Sequence, residues 1–414
     1  MEAMLAGAPY RTLTTGGSIG SSTAATRARG PNGPIGREVP SRPRTGKGCA
    51  VSSVIGVDVG GTKVAVAAVE NAAVREVVER PTDVSSTHAL IAGIEAAVAE
   101  VTGRTGDPAA IGLGLPSQVD FATGTVLSSV NIPLEGVALR EELGPRLGAP
   151  VFVDNDANCA ALAEAQLVPD PPARHLVMLT LGTGVGGGVI IDGRIERGHT
   201  GLGAELGHVI VDGRAALEAR EPGFPRPGSL EWICSGTGLE RAATRAAREN
   251  PQGALGRLLA EHGRVKGRDA VAVAEDGDSE ALALFERLGR WLGLGIAGVV
   301  NTFEPEHVVI GGGLSRASDL FLDTACREAS RHALPALWER TSVRLAGGGA
   351  AAGVIGAGLL AEQELERVFA TDDVKGGAAA FATDDVKGGH RPPLQPPKGY
   401  FRVTDTDMTN EGER

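Results

Sequence analysis

The stretch PVFVDNDANCAALAEAQ, residues 150–166, changes character within three residues. Its first part, Val151–Val153, is an apolar run typical of a buried strand, and its alanine-rich second part is typical of a helix. The junction Asp154-Asn155-Asp156 therefore stands at the carboxyl end of a strand and the amino end of a helix. In open α/β sheets, ligands bind at that end of the strands.

Asp156 admits two interpretations. At the start of a helix, an Asp usually caps free backbone N–H groups. At the ligand-binding edge of a sheet, a carboxylate can instead act as a general base. The choice depends on whether the rest of the chain supplies a substrate, a nucleotide and a metal.

A glycine turn near the start of the folded part indicates phosphate binding. Residues 54–69 predict a strand, a tight turn and a second strand, and the turn region contains Asp58, Gly60, Gly61, Thr62 and Lys63. Glycine lets backbone N–H groups approach phosphate oxygens, and an Asp can hold Mg²⁺ directly or through water. The turn is not a P-loop, because a strand follows it rather than a helix. The alternative is an ordinary Gly-Gly hairpin.

A second glycine turn lies at Gly182, Thr183 and Gly184. Residues 182–187 match the dinucleotide motif G-x-G-x-x-G, but that motif requires a following helix. Here a second strand with its own Asp-Gly turn follows at 189–195. A protein-kinase glycine loop would require H-R-D and D-F-G motifs, which the sequence lacks. We therefore expect a second phosphate-binding hairpin.

Other segments suggest further contacts. Glu205 and His208 lie in a glycine-rich stretch, although a lone His is more often structural. Residues 306–313 predict a strand that runs into a glycine loop at Gly312 and Gly313, whose alternative is a plain strand-to-helix turn. Residues 87–103, 237–249 and 278–301 predict helices, and 350–361 predicts a helix of small residues that packs close to a neighbour.

Composition restricts the function. A net charge of −11 and an aromatic content of 3% disfavour nucleic-acid binding. The four cysteines are far apart, which argues against a disulfide framework and favours a reduced, cytoplasmic setting. No apolar run of about 18 residues occurs, so we expect no membrane span.

The two ends differ from the body of the chain. Residues 1–53 hold seven basic residues against Glu2 and Glu38 and show no sustained periodicity. Their composition resembles a transit peptide, but no amphipathic helix is evident, so we expect a disordered extension. Residues 369–377 recur as 381–389, a repeat too short and polar for a solenoid unit.

Together, the motifs resemble the ROK family of sugar kinases and sugar-responsive repressors, in the actin/hexokinase-like superfamily. The resemblance covers residues 54–361 and rests on the order DVGGTK, DNDAN, LGTGVGGG, GAELGH and IGGGL. Each glycine motif alone is unspecific, whereas their order is specific. The repressors carry an N-terminal helix-turn-helix, and residues 1–53 contain no pair of helical patterns. The kinase branch is therefore favoured.

The resemblance implies an α/β, two-lobed, actin-like ATPase (ribonuclease H-like) fold with mixed sheets and an interlobe cleft. The smaller lobe would span 54–170, with the first hairpin and the catalytic Asp, and helix 350–366 would complete it. The larger lobe, 171–349, would carry the second hairpin, the sugar-binding Glu and His, and the adenosine loop. A disordered tail would follow at 367–414.

The resemblance also implies a role for each site residue. Asp156 would be the general base for a sugar primary hydroxyl. The sugar would be bound by Asn131, Asn155, Glu205, His208 and Glu231. Asp58 would assist Mg²⁺, phosphates would lie on Gly60, Gly61, Thr62, Lys63, Gly182, Thr183 and Gly184, and the adenosine would lie near Gly312 and Gly313. Asp154 keeps a structural role.

Two departures from the family pattern stand out. Many members bind zinc through the His of this motif and a nearby cysteine cluster, but residues 209–233 contain no cysteine. We therefore expect no zinc, and a hydrogen-bond partner rather than a metal to orient His208. In addition, Ser117 stands where the family usually has Gly.

The expected function is ATP-dependent phosphorylation of a hexose, with glucose 6-phosphate as the product and ATP and Mg²⁺ as cofactors. The alternatives are N-acetylmannosamine, N-acetylglucosamine or fructose as the sugar, polyphosphate as the donor, or a sugar-binding regulator without catalysis. The family implies a homodimer, and neither a nucleic acid nor a membrane is an expected partner.

Overall fold

The computed structural model of the chain describes residues 53–167, 171–220 and 223–375. The predicted N-terminal extension, apart from its last residue, and the tail beyond residue 375 lie outside these ranges. Within them the strands are β1 (Val54–Val59), β2 (Lys63–Glu70), β3 (Ala73–Pro81), β4 (Ile111–Leu115), β5 (Ser117–Asp120), β6 (Thr125–Ser129), β7 (Val151–Asn155), β8 (Leu176–Leu181), β9 (Val185–Ile191), β10 (Arg194–Ile195), β11 (His307–Gly311) and β12 (Ser342–Leu345).

The α-helices of the same ranges are α1 (Thr87–Thr105), α2 (Leu139–Leu147), α3 (Asp156–Leu167), α4 (Gly213–Glu218), α5 (Leu230–Cys234), α6 (Gly236–Glu249), α7 (Ala254–His262), α8 (Gly267–Glu275), α9 (Ser279–Phe303), α10 (Leu322–His332), α11 (Pro335–Trp338) and α12 (Ala352–Lys375). Short 3-10 segments occupy Leu206–His208, Gly313–Leu320 and Gly349–Ala351. None of the described helices is long and apolar enough to cross a bilayer.

Two five-stranded sheets share one topology. Their strand orders are β3-β2-β1-β4-β7 and β10-β9-β8-β11-β12. β1 pairs antiparallel with β2 on one side and parallel with β4 on the other. In the same way, β8 pairs antiparallel with β9 and parallel with β11. The two glycine turns, β1 to β2 and β8 to β9, therefore occupy equivalent positions. β5 and β6 form a separate hairpin.

The parallel strands bring the predicted acidic residues to one edge. β1, β4 and β7 are largely buried, as their near-continuous apolar sequences predict for strands covered on both faces. Their register places Asp58 beside Gly114, and Gly114 beside Asp154. The carboxyl ends of β1 and β7 thus meet at the same edge of the sheet, where α3 begins.

α12 approaches the first sheet at backbone distance. A Cβ atom at Gly56 of β1 would lie 1.9 Å from the Val354 carbonyl oxygen, and one at Gly112 of β4 would lie 1.8 Å from that of Ala357. Only glycine fits at such contacts. α3 packs against α12 on one side and against β8 and β9 of the second sheet on the other. α3 therefore connects the two sheets.

Several elements confirm local predictions. Helices predicted over 87–103, 237–249 and 278–301 correspond to α1, α6 and α9. α1 starts where the Ser86 hydroxyl accepts from the backbone N–H of Ala89. The Asp192-Gly193 turn has φ values of 52° and 77°, as a type I′ hairpin requires. α12 ends at Lys375, inside the segment assigned from the sequence to the tail.

Candidate active site

Two adjoining cavities share Asp156. The first, here the polar cavity, has a volume of about 80 Å³ and is lined by the end of β7 and by residues 201–205. The second, here the carboxylate cavity, has a volume of about 290 Å³ and contains both Asp58 and Asp156. A third, the outer cavity of about 780 Å³, lies along Gly182, Thr183 and Gly313.

Asp156 is in an environment that suits a base. Burial, and secondarily the charge of Asp58, raise the pKa of its carboxyl from 3.8 to about 6. The helix-capping position belongs to Asn155, whose Oδ1 accepts from the backbone N–H of Ala157 at 2.9 Å. Asp156 Oδ1 accepts from the same N–H at 2.8 Å. The helix start thus has a cap besides Asp156.

Asp154 is buried and accepts three hydrogen bonds. Its donors are the backbone N–H of Asn155 at 2.7 Å, Asn158 Nδ2 at 2.8 Å and Arg197 Nε at 2.6 Å. The side chains of Asp154 and Arg197 are only 4% and 13% exposed, so this is a buried ion pair. Asp154, for which the sequence predicts a structural role, therefore has Arg197 as its partner.

Arg197 connects two walls of the polar cavity. Its guanidinium lies 3.6 Å from the ring centroid of Phe121 and 3.6 Å from Glu364 of α12. Its backbone carbonyl accepts from Gly203 N at 2.8 Å, which shapes the segment that leads to Glu205. Since Asp154 belongs to the first sheet and Arg197 follows β10 of the second, the pair joins the two sheets beside the site.

Hydrogen bonds to Gly60 hold the first glycine turn in place. Gly60 N donates to the Lys63 carbonyl at 2.8 Å, and the Thr82 hydroxyl donates to the Gly60 carbonyl at 2.6 Å. The Lys63 ammonium lies 2.6 Å from Glu79 in an exposed pair. A Cβ atom at Gly61 would lie 3.7 Å from Asn131, which places Asn131 beside this turn. Thr62 is exposed.

Asp58 is the residue that fits a magnesium ion bound beside phosphates. Burial raises the pKa of Asp58, and the charge of Lys63 opposes that rise. Mg²⁺ in phosphate-transfer sites takes one or two carboxylates and completes its shell with water and phosphate oxygens. Among the described residues no group of three His, Cys, Asp or Glu gathers as a ligand set. Asp58 supplies such a carboxylate at the carboxylate cavity.

The second glycine turn is bonded to α5 and α6. Gly236 N donates to the Gly182 carbonyl at 2.8 Å, and the Thr237 hydroxyl donates to the Thr183 carbonyl at 2.9 Å. Glu231 accepts from Val185 N at 2.8 Å, and a Cβ atom at Gly184 would lie 2.4 Å from the Glu231 carboxylate. A side chain at residue 184 would therefore displace the Glu231 carboxylate.

The third glycine loop lies against the end of β8. Gly312 has a φ of +84°, and a Cβ atom there would lie 2.4 Å from the Leu181 carbonyl. Gly312 lines the carboxylate cavity, and Gly313 lines the outer cavity. The loop thus lies between the two cavities, next to the second glycine turn.

Glu205 lines the polar cavity, whereas His208 is close to Glu205 but does not line the cavity. Glu205 accepts from Gln118 Nε2 at 3.4 Å and lies 3.8 Å from His208 Nε2. His208 Nδ1 is buried and has no hydrogen-bond partner among the described residues. The ring instead packs 5.1 Å from that of Phe224. The hydrogen-bond partner expected from the sequence is thus not found in the described part of the chain.

The surroundings of His208 do not fit a zinc site. A structural zinc requires about four nitrogen or sulfur ligands. In the part of the chain that the structure describes, His208 and Glu205 are not joined by further His, Cys, Asp or Glu in a metal-binding group. Cys234 is buried, and its thiol faces the Leu288 carbonyl at 3.7 Å. No step of the chemistry is therefore assigned to zinc.

The structure divides the predicted residues by place. Asn155, Asp156 and Glu205 line the polar cavity, and Asp58 joins Asp156 at the carboxylate cavity. Asn131 and Glu231 are instead placed at the first and second glycine turns.

Two buried ionic contacts were missed from the sequence. Besides Arg197, fully buried Glu164 of α3 accepts from Arg344 Nη1 at 2.7 Å and from Gly348 N at 2.6 Å. The alanine-rich sequence around Glu164 indicates a helix that can be buried, but it does not indicate the partner of Glu164.

Known proteins are similar to this chain over most of its length. The ROK family model matches residues 54–364. A glucokinase of Halalkalibacterium halodurans is 35% identical over 322 residues, which cover 75% of this chain and 95% of that protein.

Two solved structures are similar as well. The ROK hexokinase of Thermus thermophilus has 33% identity and a TM-score of 0.66, covering 76% of this chain and 99% of that chain. A ROK glucokinase of Streptomyces griseus in complex with glucose and AMPPNP has 32% identity and a TM-score of 0.60, covering 75% and 99%. The expected mixed α/β, actin-like ATPase fold is thereby confirmed, and the chain belongs to the ROK family.

Proposed function

We propose that the protein is an ATP-dependent hexose kinase that converts glucose to glucose 6-phosphate. The observation that carries the proposal is the position of Asp156, which is shared by a polar cavity and a cavity with a second carboxylate. The glucokinase of H. halodurans and the glucose-bound ROK glucokinase of S. griseus support glucose as the sugar.

The proposed chemistry needs alignment and one base. With the sugar in the polar cavity, Asp156 takes the proton of the sugar's primary hydroxyl group. The oxygen of that hydroxyl group attacks the γ-phosphorus of ATP. The bond from that phosphorus to the bridging oxygen breaks, and ADP leaves. The two glycine turns would hold the phosphates, and Asp58 would hold Mg²⁺ near them. The ion, when bound, neutralises charge on the phosphates.

The sugar contacts follow from the chemistry of hydroxyl groups. Each hydroxyl donates and accepts one or more hydrogen bonds, so acids and amides bind it well. Asn155 and Glu205 line the polar cavity and are assigned to the sugar directly. Asn131, His208 and Glu231 keep their assignment as sugar contacts, which requires the cavity to close around the substrate.

The cellular setting forms part of the proposal. Cys159 and Cys234 are buried free thiols, as expected for a reduced compartment where ATP is available. We infer a cytoplasmic homodimer that supplies glucose 6-phosphate for sugar breakdown.

An assay of ADP release tests the proposal. Glucose, fructose, N-acetylglucosamine and N-acetylmannosamine are compared with ATP, and glucose also with polyphosphate as donor. We expect glucose with ATP to give the highest kcat/KM. Asp156→Asn should lower kcat by about 10²-fold or more while glucose binding stays within a few fold. ADP release without any sugar, or near-normal turnover of Asp156→Asn, would contradict the proposal.

A further inference from the structure

A second large cavity lies outside the candidate active site. It has a volume of about 680 Å³, and α5, α6, α9 and the segment between α7 and α8 surround it. Cavities of about 300–1,000 Å³ are typical of small-molecule sites. Thr237, Leu239 and Glu240 line both this cavity and the outer cavity, so the first turn of α6 is a wall common to both.

The lining of this cavity is strongly basic. It contains a single acid, Glu240, and five arginines from three separate elements: Arg241, Arg245, Arg248, Arg264 and Arg287. This contrasts with the net charge of −11 of the whole chain. Within the described residues, Arg248, Arg264 and Arg287 form neither an ion pair nor a side-chain hydrogen bond. We call this site the arginine cavity.

One arginine is held in place by an aromatic ring. The Arg241 guanidinium lies 4.3 Å from the centroid of Trp232 and donates to the Trp232 carbonyl. Burial, and then the neighbouring charge of Arg245, lower the pKa of Arg241. An anion between these guanidinium groups would relieve that repulsion. Arginine forks bind phosphate and carboxylate groups in a bidentate manner.

The floor of the arginine cavity is apolar. Leu239, Val265 and Leu288 are 2%, 1% and 3% exposed, and Leu284 is half-buried beside them. A ligand that contacts the half-buried side chains beside this floor, Trp232, Ile233 and Leu284, gains from removing their apolar surface from water. The lining therefore matches an organic anion rather than an inorganic one.

α6 links the arginine cavity to the second glycine turn. Its first residues donate to the carbonyls of that turn, from Gly236 N to Gly182 and from the Thr237 hydroxyl to Thr183. Glu231 of α5 holds Val185 at the other end of the turn. A ligand that shifts α6 would thus change the position of the turn assigned to phosphate.

We propose that the arginine cavity binds a small organic anion, with a phosphate or two carboxylates on an apolar body, and that its occupancy alters nucleotide affinity through α6. Binding is independent of the proposed function, whereas the effect on nucleotide affinity rests on it. The two parts therefore have separate tests.

Calorimetry on the full chain tests binding. Phenyl phosphate and phthalate serve as probes and separate phosphate from carboxylate recognition. Inorganic phosphate represents the charged half of such a probe, and benzyl alcohol represents its apolar half. We expect at least one probe to bind about tenfold more tightly than either half, and about tenfold more weakly to Arg264→Gln/Arg287→Gln. Arg290→Gln, on α9 but outside the arginine cavity, is the matched control and should bind like the wild type.

Kinetics test the coupling. In the wild type the bound probe should change the KM for ATP by about fivefold. The double variant should show no change, and without probe its kcat should equal that of the wild type. Equal probe affinity in wild type and double variant would overturn the site. So would a change in oligomeric state caused by the double substitution alone, because it would identify the face as a contact between copies. Binding that leaves the KM for ATP unchanged would overturn the coupling.

Discussion

Among single residues, Asp156 lies where its ionised carboxylate is unfavourable, and the same position suits it to act as a base. Its carboxyl is buried and lies next to a second acid, Asp58. Both effects favour the protonated form, so the pKa rises to about 6. A base with that pKa is largely ionised at neutral pH and still accepts a proton readily.

The pH dependence of turnover follows from this pKa. Asp156 must be ionised to act, so kcat/KM should fall about tenfold per pH unit below about pH 6. Asp58→Asn removes the neighbouring negative charge. In the activity that this variant retains, the fall of kcat/KM should begin at a lower pH than in the wild type. A pH–rate profile of both proteins measures the effect. A wild-type profile that stays flat through about pH 5 would contradict the assignment.

The same pKa predicts that Asp156 destabilises the fold at neutral pH. A carboxyl whose folded pKa exceeds its unfolded value stabilises the protein below the unfolded value, 3.8. That contribution is lost as the pH rises through about 6. Asp156→Asn should therefore be more stable at pH 8, by up to about 3 kcal/mol.

Urea unfolding at pH 8 and at pH 4 measures this difference in the free energy of unfolding. The gain should shrink toward the lower pH, where the wild-type carboxyl is protonated in the folded state and partly protonated in the unfolded state. Asp107→Asn, at an exposed position, is the control and should change little. A variant less stable than the wild type at pH 8 would refute the argument.

Among the structural elements, β7 and the segment after β10 are joined by the Asp154–Arg197 pair. Breaking a buried ion pair from one side leaves an uncompensated charge and costs about 3–5 kcal/mol. Here that charge would lie beside Asn155 and Asp156. The segment that ends in Glu205 would also lose its anchor. Both walls of the polar cavity depend on this pair.

Arg197→Met should therefore raise the KM for sugar by about tenfold or more and leave the KM for ATP within about twofold. Asp154→Asn in the same chain should recover part of the lost stability, since no unpaired charge remains. Arg194→Met, an exposed arginine of β10, is the control. Steady-state kinetics with each substrate varied decides between positioning and general destabilisation. Equal increases in both KM values would indicate destabilisation alone.

Local elements were predictable from the sequence because local rules determine them. Both glycine hairpins, the Asp192-Gly193 turn and α1, α6 and α9 follow from turn residues and apolar periodicity. Contacts between distant residues were not predictable in this way. Arg197 lies 43 residues from Asp154, and 180 residues separate Glu164 from Arg344. A polar residue in a loop carries no local signal of its partner.

The candidate site shows the same division. The junction at 154–156 indicated a ligand-binding edge, and Asp58 and Asp156 do line one cavity. The hydrogen bond between Glu231 and Val185 depends on how α5 packs on β9, which no short motif encodes. His208 was expected to have a hydrogen-bond partner. Its contact with Phe224 depends on the path of a loop.

For the molecule as a whole, the fold should be stable without zinc. The segment from His208 to α5 is held by the backbone bridge of Ile210 with Ser229 and by the packing of His208 on Phe224. Metal analysis of the purified protein should find far less than one zinc per chain. EDTA should leave the Tm unchanged, because no metal-linked folding energy is lost. One zinc per chain, removed by EDTA with a fall in Tm, would refute this prediction.

The backbone contact of α12 with β1 has a consequence for synthesis. The two elements are the last and the first of the described chain, and about 300 residues separate Gly56 from Val354. At a usual rate of about 5–20 residues per second, the ribosome needs about 15–60 s to cover that distance. During this time the strand that carries Asp58 lacks its covering helix. A chain that ends before α12 lacks Ala352 and Gly353, which line the carboxylate cavity, so its candidate active site is incomplete.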